Sequence, residues 1–291
     1  MTRLVILGST GMLGSEVLRV AGESGIDYSA ISRSTEISFD AERSSVEQLA
    51  KEVRLNENDW LVNCIGWIPQ KSSGDIEKDR TQAELLNTSL PEQLSAAKSQ
   101  FGFKWIQIGT DCVFKGNRGQ YSEDDVMDAT DLYGLSKIAG EQKSGGAILI
   151  RSSIVGRDQR TGSGIYSWFK QAISGGSVNG YSNQMWNGVS TTAFAKLSVG
   201  LAKASWTEPL LQHWIPEDSV SKYELLSLFA KELGLDEGLV LPVDTAPSVD
   251  RTLTTTNLSR NNELWGMAGY KSPPSIAALC KEFIALDRKL G

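Results

Sequence analysis

The chain has 291 residues, a length that suits one large domain or two modest ones. Hydrophobic residues make up 40% and charged residues 22%, a composition typical of a soluble globular protein with enough apolar material for a core. The formal net charge of -6 argues against non-specific binding to nucleic acid or to anionic membranes, so we expect neither as a partner.

The first half alternates short apolar runs with helical patterns. Because the apolar runs are continuous, they indicate a parallel sheet covered on both faces, and residues 1–152 are therefore predicted to form a doubly wound, Rossmann-type α/β domain. Ligands of such sheets lie at the carboxyl ends of the strands. The predicted strands are 3–7, 28–32, 59–65, 104–109 and 147–151, and the predicted turn and helices between them are 8–25, 45–54, 83–100 and a segment around Tyr133.

The second half, residues 153–291, has a looser pattern. Glycine and serine become frequent, and the tryptophans at positions 168, 186, 206 and 214 cluster here. Helical patterns return at 190–205, 221–234 and 274–290. We predict a smaller C-terminal substrate lobe that is partly interleaved with the sheet of the first domain.

A glycine-rich turn, GSTGMLG, follows the first predicted strand. Gly8 permits a sharp turn, Gly11 lets a pyrophosphate approach the backbone, and Gly14 permits close packing of the helix on the strand. The amides at the start of the following helix then face the anion. The spacing is GxxGxxG rather than the commoner GxGxxG, but its position in a βαβ run predicts a bound nicotinamide dinucleotide.

The end of the second strand selects between NAD and NADP. A carboxylate there would bind the ribose diol of NAD, whereas a basic group would accept the 2′-phosphate of NADP. The segment AISRST supplies Ser32 and Arg33 and no acid before Glu36, so NADPH is expected, with NADH as the alternative. Asp40 is a candidate for a hydrogen bond to the adenine amine.

Tyr133 and Lys137 lie four residues apart on a predicted helix, so their polar ends can reach one point. A lysine beside a half-buried tyrosine without chemical role is the alternative. A phenol has a pKa of about 10, and a nearby ammonium and a nicotinamide cation are both expected to lower the pKa of Tyr133. The phenol could then give its proton to a carbonyl oxygen as hydride arrives, with Thr110 donating a hydrogen bond to the same oxygen.

The rarer residue types point to few other chemistries. His213 is the only histidine, and its setting in LLQHWIP favours a structural or surface role. The three cysteines, Cys64, Cys112 and Cys280, include no CxxC pair, so we expect no metal site and a reducing compartment. The apolar run after Arg3 is too short for a signal peptide, and no stretch approaches the roughly 20 apolar residues of a membrane span. We therefore expect a cytoplasmic protein.

These segments resemble the extended short-chain dehydrogenase/reductase family, and within it the dTDP-4-dehydrorhamnose reductase branch. The resemblance runs in order along nearly the whole chain and is carried by GSTGMLG, VNCIGW, NTSLPEQLSAAK, GTDCVFKGNRGQYSEDD, DLYGLSKIAGE, LIRSSIVG and WNGVSTTAFAKL. It implies that Tyr133 is the proton donor, Lys137 binds the ribose, Thr110 orients the carbonyl and Asp111 lies near the substrate. The implied cofactor site comprises Gly8, Thr10, Gly11, Met12, Leu13, Gly14, Ser32, Arg33, Asp40, Cys64, Ile65, Gly66, Tyr133 and Lys137.

The chain departs from the family pattern beside the catalytic threonine. Gly109 replaces the usual serine before it, and Cys112 replaces the usual tyrosine after Asp111. In related sugar-nucleotide dehydratases the threonine is followed by Asp-Glu, the acid and base of water elimination. Since Cys112 stands in place of that glutamate, the sequence favours reduction over dehydration.

The substrate is expected to be a nucleotide-linked 4-keto sugar, reduced for the synthesis of cell-surface polysaccharide sugars. Its predicted contacts are Trp67, Gln184, Trp186, Asn187 and Arg251, with Trp67 and Trp186 as a possible platform for the sugar or base. The sequence leaves open which nucleotide and which sugar the substrate contains, and whether the protein forms a homodimer. Two other interpretations remain: an epimerase or epimerase-reductase, and a non-catalytic dinucleotide-binding regulatory subunit.

Overall fold

A central six-stranded parallel sheet organises the structure, a computed structural model that describes residues 2–158, 162 and 164–290. The strands are β1 (Arg3–Leu7), β2 (Asp27–Ile31), β3 (Asp59–Asn63), β4 (Lys104–Ile108), β5 (Ile148–Arg151), β6 (Ile154–Val155), β7 (Val178–Tyr181), β8 (Gln184–Trp186), β9 (Val189–Ser190), β10 (Leu210–His213), β11 (Val220–Ser221), β12 (Val240–Val243) and β13 (Val249–Asp250). The helices are α1 (Met12–Ser24), α2 (Val46–Val53), α3 (Ile76–Ala83), α4 (Leu90–Phe101), α5 (Leu132–Lys143), α6 (Ile165–Ile173), α7 (Thr191–Lys203), α8 (Lys222–Leu233), α9 (Leu258–Met267) and α10 (Ile276–Leu290).

The order of the central sheet is β2-β1-β3-β4-β5-β10, and every neighbouring pair is parallel. The predicted doubly wound α/β fold is confirmed, and all five predicted strands lie in this sheet. The chain leaves β1 toward β2 on one side and later returns to β3 on the other. This reversal opens a crevice at the carboxyl end of β1, where ligands of such sheets bind.

The second half of the chain completes the first domain. Strand β10 pairs with β5 at the edge of the sheet, and α7 shares an apolar core with α1 through residues such as Val17 and Phe194. The predicted boundary at residue 152 therefore divides the sequence, but parts of the second half belong to the first domain in three dimensions. The remaining lobe has a separate core, in which Tyr166, Phe229 and Phe283 pack edge to face.

The predicted helix over 83–100 consists of a π-helical segment over Glu84–Ser89 followed by α4, which begins at Leu90. Pro91, near the start of α4, has no N–H to continue a helix from the preceding turn. Helices α3, α6 and α9 were not predicted, since α3 and α9 are largely polar and α6 lies in a glycine- and serine-rich region. Within the described ranges, no helix combines the length and apolar character needed to cross a bilayer.

Candidate active site

The glycine-rich turn lies between β1 and α1, at the crevice. Gly8 has φ +89°, a left-handed conformation that favours glycine, and its amide donates to Ile31 O at 2.8 Å. A Cβ on Gly14 would lie 2.1 Å from Gly8 O, so only glycine allows the helix to pack this closely on the turn. Two of the three predicted glycine requirements are thus visible in the backbone.

The start of α1 is open to an anion. Gly11 is the N-cap residue and supplies no side-chain cap, and the first turn holds no acidic residue. The Ser9 hydroxyl is buried in the turn and has no hydrogen-bond partner among the described residues. A phosphate group placed here would meet free amides and the positive end of the helix dipole. The residues present therefore fit the pyrophosphate of a dinucleotide.

The end of β2 forms a small polar turn. Ser32 is buried and its amide donates to Thr35 Oγ1 at 2.7 Å. Arg33 follows with an exposed side chain, for which the described residues provide no ion pair. Asp40 Oδ1 accepts a hydrogen bond of 3.2 Å from the amide of Glu42. The turn thus carries an exposed guanidinium, and its contact with a 2′-phosphate stays a prediction.

The segment after β3 forms the opposite wall of the crevice. Ile65 Cγ1 lies 2.8 Å from the position of a Cβ on Gly8, and Asn87 Oδ1 lies 3.2 Å from that of a Cβ on Gly66. Burial raises the pKa of the Cys64 thiol, so it stays protonated at neutral pH. These contacts place Cys64 and Ile65 directly beside Gly8 of the glycine-rich turn.

Helix α5, which carries Tyr133 and Lys137, is fixed at both ends. Asp131 caps it by accepting a hydrogen bond of 2.9 Å from the amide of Gly134. A Cβ on Gly134 would lie 2.4 Å from Ala129 Cβ, and one on Gly140 would lie 1.8 Å from Asn87 O. Both glycines therefore allow close packing that sets the position of the helix.

Thr110 lies between Tyr133 and Asp111 at the carboxyl end of β4. Its hydroxyl donates a hydrogen bond of 3.2 Å to Asp111 Oδ1. It also accepts a hydrogen bond of 3.2 Å from the amide of Cys112. The phenol of Tyr133 lies close enough for Thr110 and Asp111 to shift its pKa, so the structure brings these three predicted catalytic residues together.

The electrostatics around Tyr133 differ from the expectation. Burial raises the pKa of the phenol, the nearby acidic groups of Cys112 and Asp111 raise it further, and the hydrogen bond from Thr110 offsets only part of this. Lys137 does not act on the phenol in this way. Its Nζ donates a hydrogen bond of 2.6 Å to Ile108 O. Among the protein's own groups, the expected lowering of the pKa of Tyr133 by Lys137 is therefore wrong, because desolvation dominates.

Burial also lowers the pKa of Lys137, and the carboxylate of Glu141 opposes this shift. Glu141 in turn forms a buried ion pair of 2.7 Å with Arg151. Arg151 NH1 lies 3.1 Å from His213 Nε2, while His213 Nδ1 lies 2.9 Å from Thr254 O. His213 is fully buried and burial lowers its pKa, so its role is structural, as predicted, and the surface alternative is wrong.

The predicted substrate contacts in the second lobe are largely engaged with protein. Trp186 is buried, and its indole N–H donates to Ser153 Oγ at 2.8 Å. The amide of Asn187 bonds both backbone groups of Leu253, at 2.7 and 2.9 Å. Gln184 Nε2 donates to Thr245 Oγ1 at 3.3 Å. The hydrogen bonds of these side chains connect parts of the lobe to one another, and their direct contact with a substrate stays a prediction.

Trp67 and Asn87 form a buried pair at the front of the crevice. Asn87 accepts from the amide of Trp67 at 2.9 Å and donates to its carbonyl at 3.0 Å. The indole Nε1 of Trp67 is buried and has no partner among the described residues. Sequence reasoning missed Asn87, whose signal was the segment NTSLP, because a π-helical turn was not anticipated.

Two cations approach the catalytic group from the second lobe. Arg251, a predicted contact, donates from Nε to Phe114 O at 2.9 Å. Lys222 was not predicted, since a lysine in the first turn of an amphipathic helix usually faces solvent. Its Nζ lies 5.2 Å from the centre of the Trp186 ring, and burial lowers its pKa to about 8, against the charge of Asp111.

In the part of the chain that the structure describes, no group of three or more histidine, cysteine, aspartate or glutamate side chains is placed to hold a metal ion. The predicted site brings together a phenol, a hydroxyl, an ammonium and a carboxylate at the mouth of the crevice. This set can protonate a carbonyl oxygen and hold its substrate by charge.

The comparisons with known proteins agree with this geometry. The family model described as RmlD substrate binding domain matches residues 1–284. A dTDP-4-dehydrorhamnose reductase of Mycobacterium tuberculosis is 25% identical over 277 residues, covering 92% of this chain and 87% of the relative. Methionine adenosyltransferase 2 subunit beta of Xenopus laevis is 24% identical, covering 84% and 76% of the two chains. The crystal structure of a dTDP-4-dehydrorhamnose reductase from Bacillus anthracis in complex with NADP superposes with a TM-score of 0.79 at 20% identity, covering 98% of this chain and 100% of that one.

Proposed function

The chain belongs to the RmlD substrate binding domain family, and we propose that it reduces the 4-keto group of a nucleotide-linked deoxy sugar with NADPH. The proposal includes a cytoplasmic location and a role in making sugars for cell-surface polysaccharides. The observation that carries it is the cluster of Thr110, Tyr133 and Asp111 beside a crevice that fits a dinucleotide. A reductase needs such a group at the place where hydride is delivered.

The cofactor would be held by the glycine-rich turn, the start of α1 and the turn after β2. When bound, the nicotinamide supplies the hydride and, once oxidised, a positive charge beside the phenol. The exposed guanidinium of Arg33 would bind a 2′-phosphate through its planar fork. Lys137, held at the end of β4 by Ile108, would bind the hydroxyls of the nicotinamide ribose.

Tyr133 would act as the general acid. Its raised pKa keeps the phenol protonated near neutral pH, which is the state a proton donor requires. Tyr133 and Thr110 would both donate hydrogen bonds to the substrate carbonyl oxygen. As hydride reaches the carbon, the proton of Tyr133 passes to that oxygen, and the oxygen becomes the hydroxyl of the product.

Cys112 supports reduction over dehydration or over epimerisation beside the keto group. Both alternatives need a base that removes a proton from carbon. Burial, together with the charge of Asp111, raises the pKa of the Cys112 thiol to about 12, so the thiol stays protonated and is a poor base near neutral pH. Asp111 remains as the single carboxylate next to Thr110.

The test is turnover with a panel of enzymatically generated 4-keto sugars linked to dTDP, UDP or GDP. One NADPH should be oxidised for each sugar reduced. Product formation with recycled cofactor would instead identify an epimerase. The similarity to methionine adenosyltransferase 2 subunit beta favours a regulatory subunit as the second candidate. Dinucleotide binding without turnover of any sugar in the panel would support that candidate.

A further inference from the structure

Lys222 and Arg251 are brought together by a three-stranded sheet of very short strands. Strand β8 lies in the middle, β11 pairs with it antiparallel and β13 pairs with it parallel. Ser221 and Asp250 both lie opposite Met185. Lys222 and Arg251, the next residues along each chain segment, therefore flank the same strand, although they are far apart in sequence.

The side chain of Lys222 is partly buried, and its ammonium lacks an acceptor among the described residues. It lies over the Trp186 ring, 5.2 Å from its centre, and burial lowers its pKa to about 8. Among the described residues, none forms a hydrogen bond or an ion pair with it, although an ammonium carries three donors. Withdrawing a cation from water without an acceptor costs free energy, and a bound anion would offset that cost.

The cluster formed by Lys222, Arg251 and Asp111 carries a net positive charge. Asp111 is the nearby carboxylate that acts on it, and Arg251 acts on it with the opposite sign. Arg251 uses Nε to bind Phe114 O, and the described residues provide no ion pair for its guanidinium. Two cations and one carboxylate thus converge next to Cys112, two residues from the proposed carbonyl-binding threonine.

We propose that Lys222 and Arg251 together bind an oxyanion of the substrate, either its diphosphate or a carboxylate on its sugar. This inference rests on the proposed function, because it takes the substrate to be a nucleotide sugar. The diphosphate and the sugar carboxylate are both oxyanions, but they lie at different positions in a nucleotide sugar. The diphosphate is common to all nucleotide sugars, whereas a carboxylate would restrict the enzyme to acidic sugars.

The test uses Lys222→Met, which removes the charge while keeping an unbranched apolar chain over Trp186. Calorimetry with the NADP⁺-loaded protein would measure binding of UDP, UDP-glucose and UDP-glucuronate, and of the matching dTDP compounds. Lys231→Met, exposed on the same helix α8, is the matched control and should bind all of them like the wild type. Melting temperatures would confirm that both variants are folded.

A loss of about 10-fold or more that is equal for all ligands would support the diphosphate as the oxyanion. A loss confined to the glucuronate compounds would support the sugar carboxylate. Wild-type affinities in folded Lys222→Met would overturn the inference. The proposed function would be unaffected by that result, because NADPH turnover tests it separately. If the wild type binds these ligands through Lys222 yet reduces no 4-keto sugar, the proposed function fails and the oxyanion site remains.

Discussion

Asn87 and Gly140 are in direct contact, with the carbonyl oxygen of Asn87 lying 1.8 Å from the position that a Cβ on Gly140 would occupy. The side chain of Asn87 also donates to Ser136 Oγ at 2.9 Å, one turn before Gly140 on α5. A single residue of the π-helical segment thus touches the tyrosine-bearing helix at two points. Because π-helical turns are often found at functional sites, we interpret this contact as the one that fixes how closely α5 packs against the π-helical segment.

Gly140→Ala should therefore reduce both stability and activity. The new methyl group meets backbone rather than a flexible side chain, so the free energy of unfolding should fall by about 1–3 kcal/mol, as for other overpacked sites. Denaturant unfolding measures this change. Gly266→Ala in α9, where a Cβ meets nothing within 4 Å, is the control and should stabilise by about 0.5–1 kcal/mol. Equal effects of the two substitutions would contradict the role assigned to Asn87.

Tyr133→Phe should separate chemistry from packing. The variant loses one oxygen but keeps the ring, so NADPH affinity and the melting temperature should change little. General acid catalysis is worth about 10²–10⁴-fold, and kcat should fall by that order. Steady-state kinetics and a thermal melt on the same sample test this prediction. A variant with wild-type kcat would end the reductase mechanism proposed above.

Arg33→Ala should reduce selectivity for the cofactor. The exposed guanidinium at the end of β2 is expected to bind the 2′-phosphate, so NADPH affinity should fall by about 1–3 kcal/mol while NADH affinity stays unchanged. Calorimetry with both cofactors provides the measurement. Arg43→Ala, at another exposed position nearby, should leave both affinities intact. Equal affinities of the wild type for NADPH and NADH would show that the turn does not read the phosphate.

The features that the sequence revealed are local ones. Gly8 and Gly14 act within one turn, and Tyr133 and Lys137 are neighbours on one helix, so spacing alone predicts their proximity. The pKa of Tyr133 was not predictable in this way, since its direction depends on burial by the whole fold. Local pattern gives the position of a group, whereas its environment comes from elements distant in the chain.

The environment of Lys222 was also not predictable from local sequence patterns. Its approach to Trp186 and Arg251 depends on β8, β11 and β13, and β11 and β13 have only two residues each. Strands this short carry no period-2 signal, so no pattern of apolar residues announces them. Asn87 was hidden for a related reason, because a π-helical turn shifts the residues that follow relative to an α-helix. Both residues became visible only through pairing and packing.

The charge state of Lys222 predicts how activity depends on pH. Its pKa is about 8, and the oxyanion requires the protonated form, so kcat/KM should be constant below pH 8 and fall as pH rises through that value. The Cys112 thiol, which also acts on Lys222, has a pKa of about 12 and therefore should not titrate near pH 8, where the falling limb of the profile is expected.

Lys222→Arg isolates that limb, because a guanidinium keeps its charge throughout the accessible range. The variant should retain substrate binding at pH 7 and lose the fall in kcat/KM near pH 8, whereas Lys222→Met should show a low and flat profile in this region. Burial also lowers the pKa of Lys137, but any limb from Lys137 would be common to all three proteins. Profiles of kcat/KM from pH 6 to about 10 make the comparison. If wild type and Lys222→Arg lost activity at the same pH, the titrating group would lie elsewhere, and Lys222 would have no part in binding the oxyanion.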